Sequence, residues 1–131
     1  MSGHVRKNDI SLQINQLDAF VGEILSIVDD SPDGVDVVLF GHIGDGNLHL
    51  NYVGDANLEK TAFEEMAAGV ERRVFAKLAE YHGSISAEHG IGLLKKSDLH
   101  LTRSEPEVEL MRQIKKLVDP NGILNPGKIF D

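Results

Sequence analysis

The chain has 131 residues, of which 41% are hydrophobic and 26% charged, so it is long enough for one core and too short for two. Its net charge of −8, with the histidines neutral, argues against a nucleic-acid surface or an anionic membrane surface, both of which call for clustered Lys and Arg. The absence of cysteine excludes disulfides, thiolate zinc sites and a cysteine nucleophile. No apolar run approaches the roughly 20 residues of a bilayer span.

The opening "MSGHVRKNDI" has no apolar signal segment, and residues 1–4 read as a start residue plus cloning remnant. "DISLQI" alternates, with Ile10, Leu12 and Ile14 on one face, and predicts a strand. Asn15 is then placed to cap a helix, with Asp18 in its first turn and an apolar stripe from Leu17 to Val28. "DDSPDG" (29–34) is a turn by composition. "VDVVLF" (35–40) and "LHLNYV" (48–53) follow as strands around "GDGN". Asn57 opens a long helical stripe from Leu58 to Ala79, with Gly83 suited to the left-handed position beyond its end. "SISA" (84–87) predicts a short fourth strand. Ser104 and Glu107 form a capping box for a helix running to Val118, and an extended tail follows "DPNG". The order β-α-β-β-α-β, with a helix and tail appended, predicts a single α+β domain. It would be a ferredoxin-like antiparallel sheet with helices on one face.

The chemistry concentrates in "GHIGDGNLHLNY" (41–52). If the strands pair across the Asp-Gly signal, Ile43 faces Leu48, Gly41 faces Leu50 and Leu39 faces Tyr52 on an apolar face. On the opposite face His42 then stands against His49, with Asn51 nearby. Opposed Cβ atoms about 4.5–5.5 Å apart would let both imidazoles reach one ion. Two readings stay open here: turn-flanking polar residues, or half a metal site. "SAEHGIG" (86–92) adds Glu88 and His89 at the end of the fourth strand. A carboxylate would complete a two-histidine, one-carboxylate set with an open position. An adjacent imidazole would be free for acid–base work. The bland alternatives are a helix-capping acid and a satisfied loop histidine. "GHIGDGN" lacks the GxGxxG spacing, and no glycine loop is followed by Lys-Ser or Lys-Thr, so dinucleotide and P-loop sites are unsupported. His4, His82 and His100 read as surface or helix-end residues.

Three ordered motifs, "GHIGDGNLHLNY", "SAEHGIGLLKK" and "DPNGILNPGKIF", together resemble the C-terminal domain of FAD-linked oxidases of the vanillyl-alcohol oxidase type. The nearest groups are D-2-hydroxyglutarate dehydrogenases, D-lactate dehydrogenases and the glycolate oxidase flavin subunit. The similarity runs from about residue 8 to the end. It implies that His42, His49 and Glu88 bind a divalent metal, typically zinc, and that His89 is the base taking the substrate hydroxyl proton while hydride passes from C2 to flavin N5. It also implies that Asn51 helps hold a small 2-hydroxy acid. The tail residues Asn125 and Lys128 would return toward the FAD of a preceding domain.

That N-terminal FAD domain does not match any part of the chain, and neither do the basic substrate-carboxylate residues of the family. The expectation is therefore a fragment of a cytoplasmic dehydrogenase, whose parent could sit peripherally at a membrane, with its own FAD domain as partner. The alternative is a stand-alone metal- or small-acid-binding module without redox chemistry. A homodimer through an exposed sheet face is a third expectation.

Overall fold

The computed structural model describes residues 3–31 and 33–130; residues 1 and 2 of the expected remnant, and Pro32 in the expected turn, lie outside them. Three strands, β1 (Val5–Ser11), β2 (Val35–His42) and β3 (Asn47–Gly54), form an antiparallel sheet in the order β1-β3-β2. Two helices, α1 (Leu17–Asp29) and α2 (Lys60–Glu80), cover one face, and α3 (Glu105–Val118) precedes the extended tail. This is the expected α+β architecture.

Period-two alternation decides which sheet face is buried. Leu48, Leu50 and Tyr52 of β3 point into the core with Ile10 of β1, against Phe20 and Ile24 of α1 and Phe63, Ala67, Val74 and Leu78 of α2. Asn8 also points inward and donates from Nδ2 to the Tyr52 hydroxyl at 3.2 Å. Burial pushes the Tyr52 phenol pKa up, so it stays neutral. At the outer end of β1, Arg6 pairs with Glu64 (3.1 Å) and Glu71 of α2, which keeps the nearly buried Glu71 carboxylate compensated. The carbonyl of His4 accepts from the Gly54 amide at 2.9 Å, and its ring lies 5.7 Å from that of Phe63, so His4 packs with the fold.

Several local expectations change. β1 ends at Ser11, and Ile14 begins a 3-10 turn (Ile14–Gln16) in which Ile14 is exposed; Asn15 lies inside that turn and does not cap α1. α2 starts at Lys60, later than Asn57, after the extended Glu59. At its C-terminus the left-handed residue is His82 (φ 53°), not Gly83. The His82 amide donates to Ala79 O and the Gly83 amide to Leu78 O, both at 3.0 Å, closing a Schellman motif. Gly83 is needed for space: a Cβ there would lie 2.3 Å from Leu78 Cδ1 and 2.8 Å from Ser11 O. The Ser104–Glu107 capping box of α3 forms as read.

The fourth strand shrinks to one antiparallel bridge between Ser11 and Ser84, plus a bond from the Ala87 amide to Asp9 O at 3.1 Å. The reason lies in the next two residues. The Glu88 and His89 amides turn inward to the Asp9 side chain, pulling the segment away from the β1 edge.

Candidate metal centre

The hairpin register differs from the expected one by two residues. Leu39 pairs with Leu50, Phe40 with His49 and His42 with Asn47. The connection is a 3-10 turn (Ile43–Asp45) closed by Gly46 at φ 71°, ψ 18°, with Gly44 and Asp45 at its centre in place of Asp45 and Gly46. Gly46 is fixed there by β1's exit, because its carbonyl accepts from the Leu12 amide at 3.0 Å and a Cβ on it would meet Leu12 O at 2.2 Å. Ile43 consequently leaves the apolar face and is exposed.

A shift of two preserves side-chain parity. His42 and His49 still share the face opposite the core, now as diagonal neighbours with ring centroids 5.5 Å apart and planes near perpendicular. Glu88 reaches the same place from the loop after the Ser84 bridge. One ligand atom each from His42, His49 and Glu88 falls within 4.8 Å of the others, with His42 and Glu88 exposed and His49 half-buried. Asn47, cross-strand from His42, donates from Nδ2 to Glu88 Oε1 at 2.8 Å and aims that carboxylate. Two imidazole nitrogens and a carboxylate oxygen are the donor chemistry of a catalytic divalent-metal set. Closing donors at this spacing onto metal bonds of about 2.0–2.2 Å takes rotamer adjustment and no refolding. The set therefore fits a metal.

Asp9 is the site residue that sequence reasoning missed. It is paired cross-strand with His49 and is 1% exposed, which leaves it among the most buried side chains in the protein. Its Oδ2 accepts from the Glu88 amide (2.7 Å) and the His89 amide (3.0 Å) and lies 3.6 Å from His89 Nδ1. Its Oδ1 lies 3.6 Å from His49 Nδ1. Burial pushes the Asp9 carboxyl pKa up. The two amides, with His89 and Lys95 nearby, outweigh burial and hold it below the ordinary carboxylate value. Lys95 in turn donates from Nζ to the carbonyls of Ile85 (2.5 Å) and Asp9 (3.3 Å), and its burial lowers its pKa.

His89 is largely exposed beside this carboxylate, its ring 6.4 Å from that of His49. Asn51 lies two residues along β3 from His49 on the same face, between Lys7 of β1 and Val38 of β2. Lys7, also passed over in the sequence, puts an exposed cation on that face. Asn125 and Lys128 lie on the exposed tail and are not members of the triad. The Ile129 amide ties that tail to Gly92 O (2.9 Å), and Lys96 Nζ ties it to Gly127 O (3.2 Å). A groove of about 430 Å³ at the outer end of β1, between Arg6, Asn8, Glu71 and Lys95, includes none of the triad residues.

No helix among the described residues is long and apolar enough to cross a membrane. Residues 2–129 match the family model described as FAD linked oxidases, C-terminal domain. The chain is 48% identical over 124 residues to a D-2-hydroxyglutarate dehydrogenase of Stutzerimonas stutzeri, covering 95% of this chain and 27% of that protein. It is 46% identical over 125 residues to the enzyme of that name from Xanthomonas citri, covering 95% of the chain and 26% of the relative. With the mitochondrial D-2-hydroxyglutarate dehydrogenase of Rattus norvegicus it shares 41% identity over 126 residues, 96% of the chain and 22% of the relative. The chain thus spans about a quarter of the length of the curated relatives it matches. With a family model matching nearly end to end, the chain belongs to the C-terminal domain family of the FAD-linked oxidases.

Proposed function

We propose that this chain is the metal- and substrate-handling part of an FAD-dependent D-2-hydroxyacid dehydrogenase that oxidises a 2-hydroxy acid to the 2-oxo acid. The observation that carries the reading is the convergence of His42, His49 and Glu88 within 4.8 Å, with His89 next in the chain. The names of the relatives point to D-2-hydroxyglutarate as the first substrate to test.

His42, His49 and Glu88 would hold a divalent ion, with zinc favoured by the two-nitrogen, one-carboxylate set. Such an ion, when bound, supplies positive charge that lowers the cost of removing a hydroxyl proton. His89 is the proton acceptor: its Nδ1 lies 3.6 Å from the Asp9 carboxylate, and its exposure leaves Nε2 open to substrate. Asn51 offers hydrogen bonds to the substrate, and the Lys7 ammonium beside it offers a counter-charge for a carboxylate. The hydride acceptor is FAD, held mainly by sequence corresponding to the remainder of the relatives' length. Asn125 and Lys128 are exposed on the tail and available to it.

Zinc titration of the chain by calorimetry, with His42→Ala and Glu88→Ala as controls, tests the metal. Sub-micromolar uptake by the wild type, lost in both variants, is expected; a folded chain that takes up no zinc refutes the assignment. Substrate is tested by joining the chain to a flavin domain from a relative. Flavin bleaching by D-2-hydroxy acids, abolished in His89→Ala, is expected. A second reading, a metal- or small-acid-binding module without redox chemistry, draws on the triad's being complete within this chain. Zinc uptake without bleaching in a correctly assembled, flavin-loaded pair would favour it.

A further inference from the structure

Asp9 Oδ1 is buried and has no hydrogen-bond partner among the described residues. A buried carboxylate oxygen left in that state is costly, because it has given up water without gaining a donor. Its neighbour in the ion-pair geometry is His49 Nδ1, 3.6 Å away, slightly beyond hydrogen-bond range and within reach of a small rotation of either side chain. The other oxygen, Oδ2, already accepts from the Glu88 and His89 amides. One carboxylate therefore faces a histidine of the hairpin and the backbone carrying the third ligand and the base, joining segments 40 and 79 residues away in sequence.

We infer that Asp9 is the positioning residue of the metal centre. Oδ1 accepts the proton of His49 Nδ1–H, fixing the tautomer that leaves Nε2 bare as the metal donor, while Oδ2 holds the Glu88–His89 backbone in register with it. The inference rests on the metal assignment above. It assigns to this chain a carboxylate–histidine–metal relay, an arrangement in which the outer carboxylate fixes ring orientation and raises ligand basicity. Asp9 itself is outside the donor cluster, so its action is through His49 and the loop.

The chemistry of the amide analogue sharpens the test. In Asp9→Asn a single oxygen remains. The two loop amides require it, so the new NH₂ group faces His49 Nδ1 and can only donate. His49 must then accept at Nδ1 and carry its proton on Nε2, where the metal would bind. Nitrogen-15 NMR of the metal-free wild-type chain is expected to show His49 protonated at Nδ1, and the variant to show it at Nε2. Zinc affinity by calorimetry is expected to fall roughly 10–100-fold in the variant. The d–d bands of bound cobalt(II) should shift away from the wild-type pattern.

A His49 proton on Nε2 in the wild type overturns the inference without recourse to any variant. Equal zinc affinity in wild type and Asp9→Asn also overturns it, while leaving the metal assignment standing. A folded wild type that takes up no zinc overturns the metal assignment and, with it, the relay. If Asp9→Asn does not fold, the wild-type tautomer decides alone.

Discussion

Gly41 lies in β2 immediately before His42, and a Cβ built on it would sit 2.2 Å from Asn47 O and 3.0 Å from Leu48 Cα. Both are backbone atoms of β3, the central strand, so neither can swing aside as a side-chain tip would. Gly41→Ala must push the Asn47–Leu48 peptide by roughly 1 Å to reach even the tightest normal contact. That displacement strains both ladders, because Leu48 pairs with Gly41 on one side and Ile10 on the other. Overpacking of this kind costs about 1–3 kcal/mol. At this chain length about 3–5 °C of Tm corresponds to each kcal/mol, so a drop of roughly 3–15 °C is expected by circular dichroism. Zinc affinity should fall as well, since the same peptide carries the Asn47 amide that aims Glu88. Gly44→Ala is the control: nothing lies within 4 Å of its Cβ and its φ is not positive, so Tm should hold or rise slightly. In a hairpin turning on Asp45–Gly46, Gly41 would oppose Leu50 and the clash with Asn47 would vanish. A Gly41→Ala Tm within 2 °C of both wild type and Gly44→Ala, on the order of experimental error, would refute the observed register.

Tyr52→Phe strips the acceptor from the buried Asn8 amide and should cost about 1–3 kcal/mol in urea unfolding; a midpoint equal to wild type would mean that Asn8 has another partner. The Asp119 carboxyl is held below its ordinary value by the Lys115 ammonium, with the Leu124 and Ile123 amides assisting against burial. The folded state therefore binds fewer protons than the unfolded chain, so this contribution is complete above the ordinary value of 3.8 and is lost as pH falls through the lower folded value. The stability gap between wild type and Asp119→Asn should accordingly be open at pH 6 and close in that acid window; a gap that does not vary with pH contradicts the assignment. At the end of α2, His82→Gly relieves a left-handed backbone and should raise stability by about 0.5–1 kcal/mol. Gly83→Ala, one residue later, should lower it through the Leu78 clash, and like signs for the two would refute the Schellman assignment.

The core face of the sheet was legible because parity is a strong signal. Leu48, Leu50 and Tyr52 alternate with His49 and Asn51, and all three are buried as the pattern requires. Parity also rescued the site. Diagonal or directly opposed, His42 and His49 must share a face whenever the pairing sum is odd, so an error of two residues changed the neighbour and kept the conclusion. The register was not legible because the turn is chosen by a partner outside the hairpin. Leu12 bonds to Gly46 and holds it left-handed after a 3-10 turn, where the local Asp-Gly signal alone favours a two-residue turn. The same limit applied at Gly83, whose neighbour Ser11 is far away in sequence.

Asp9 escaped for a different reason, and one local cue was available. Aspartate is disfavoured inside strands, and here it interrupts a run that otherwise reads as a paired, half-buried segment. Its parity with Lys7 and Ser11 assigns it to the face away from Ile10, a face the alternation marks as solvent-side. Nothing in the spacing reveals that the chain returns 79 residues later to cover that position with the Glu88 and His89 amides. A carboxylate that breaks local strand preference is tolerated where a site needs it, because the loss is offset by bonds made elsewhere in the fold. The fourth strand and the candidate site therefore compete for the same segment. Had residues 84–89 continued along β1 as regular sheet, their amides would have paired with the strand edge. Asp9 would then have lost the two donors that hold Glu88 beside His42 and His49.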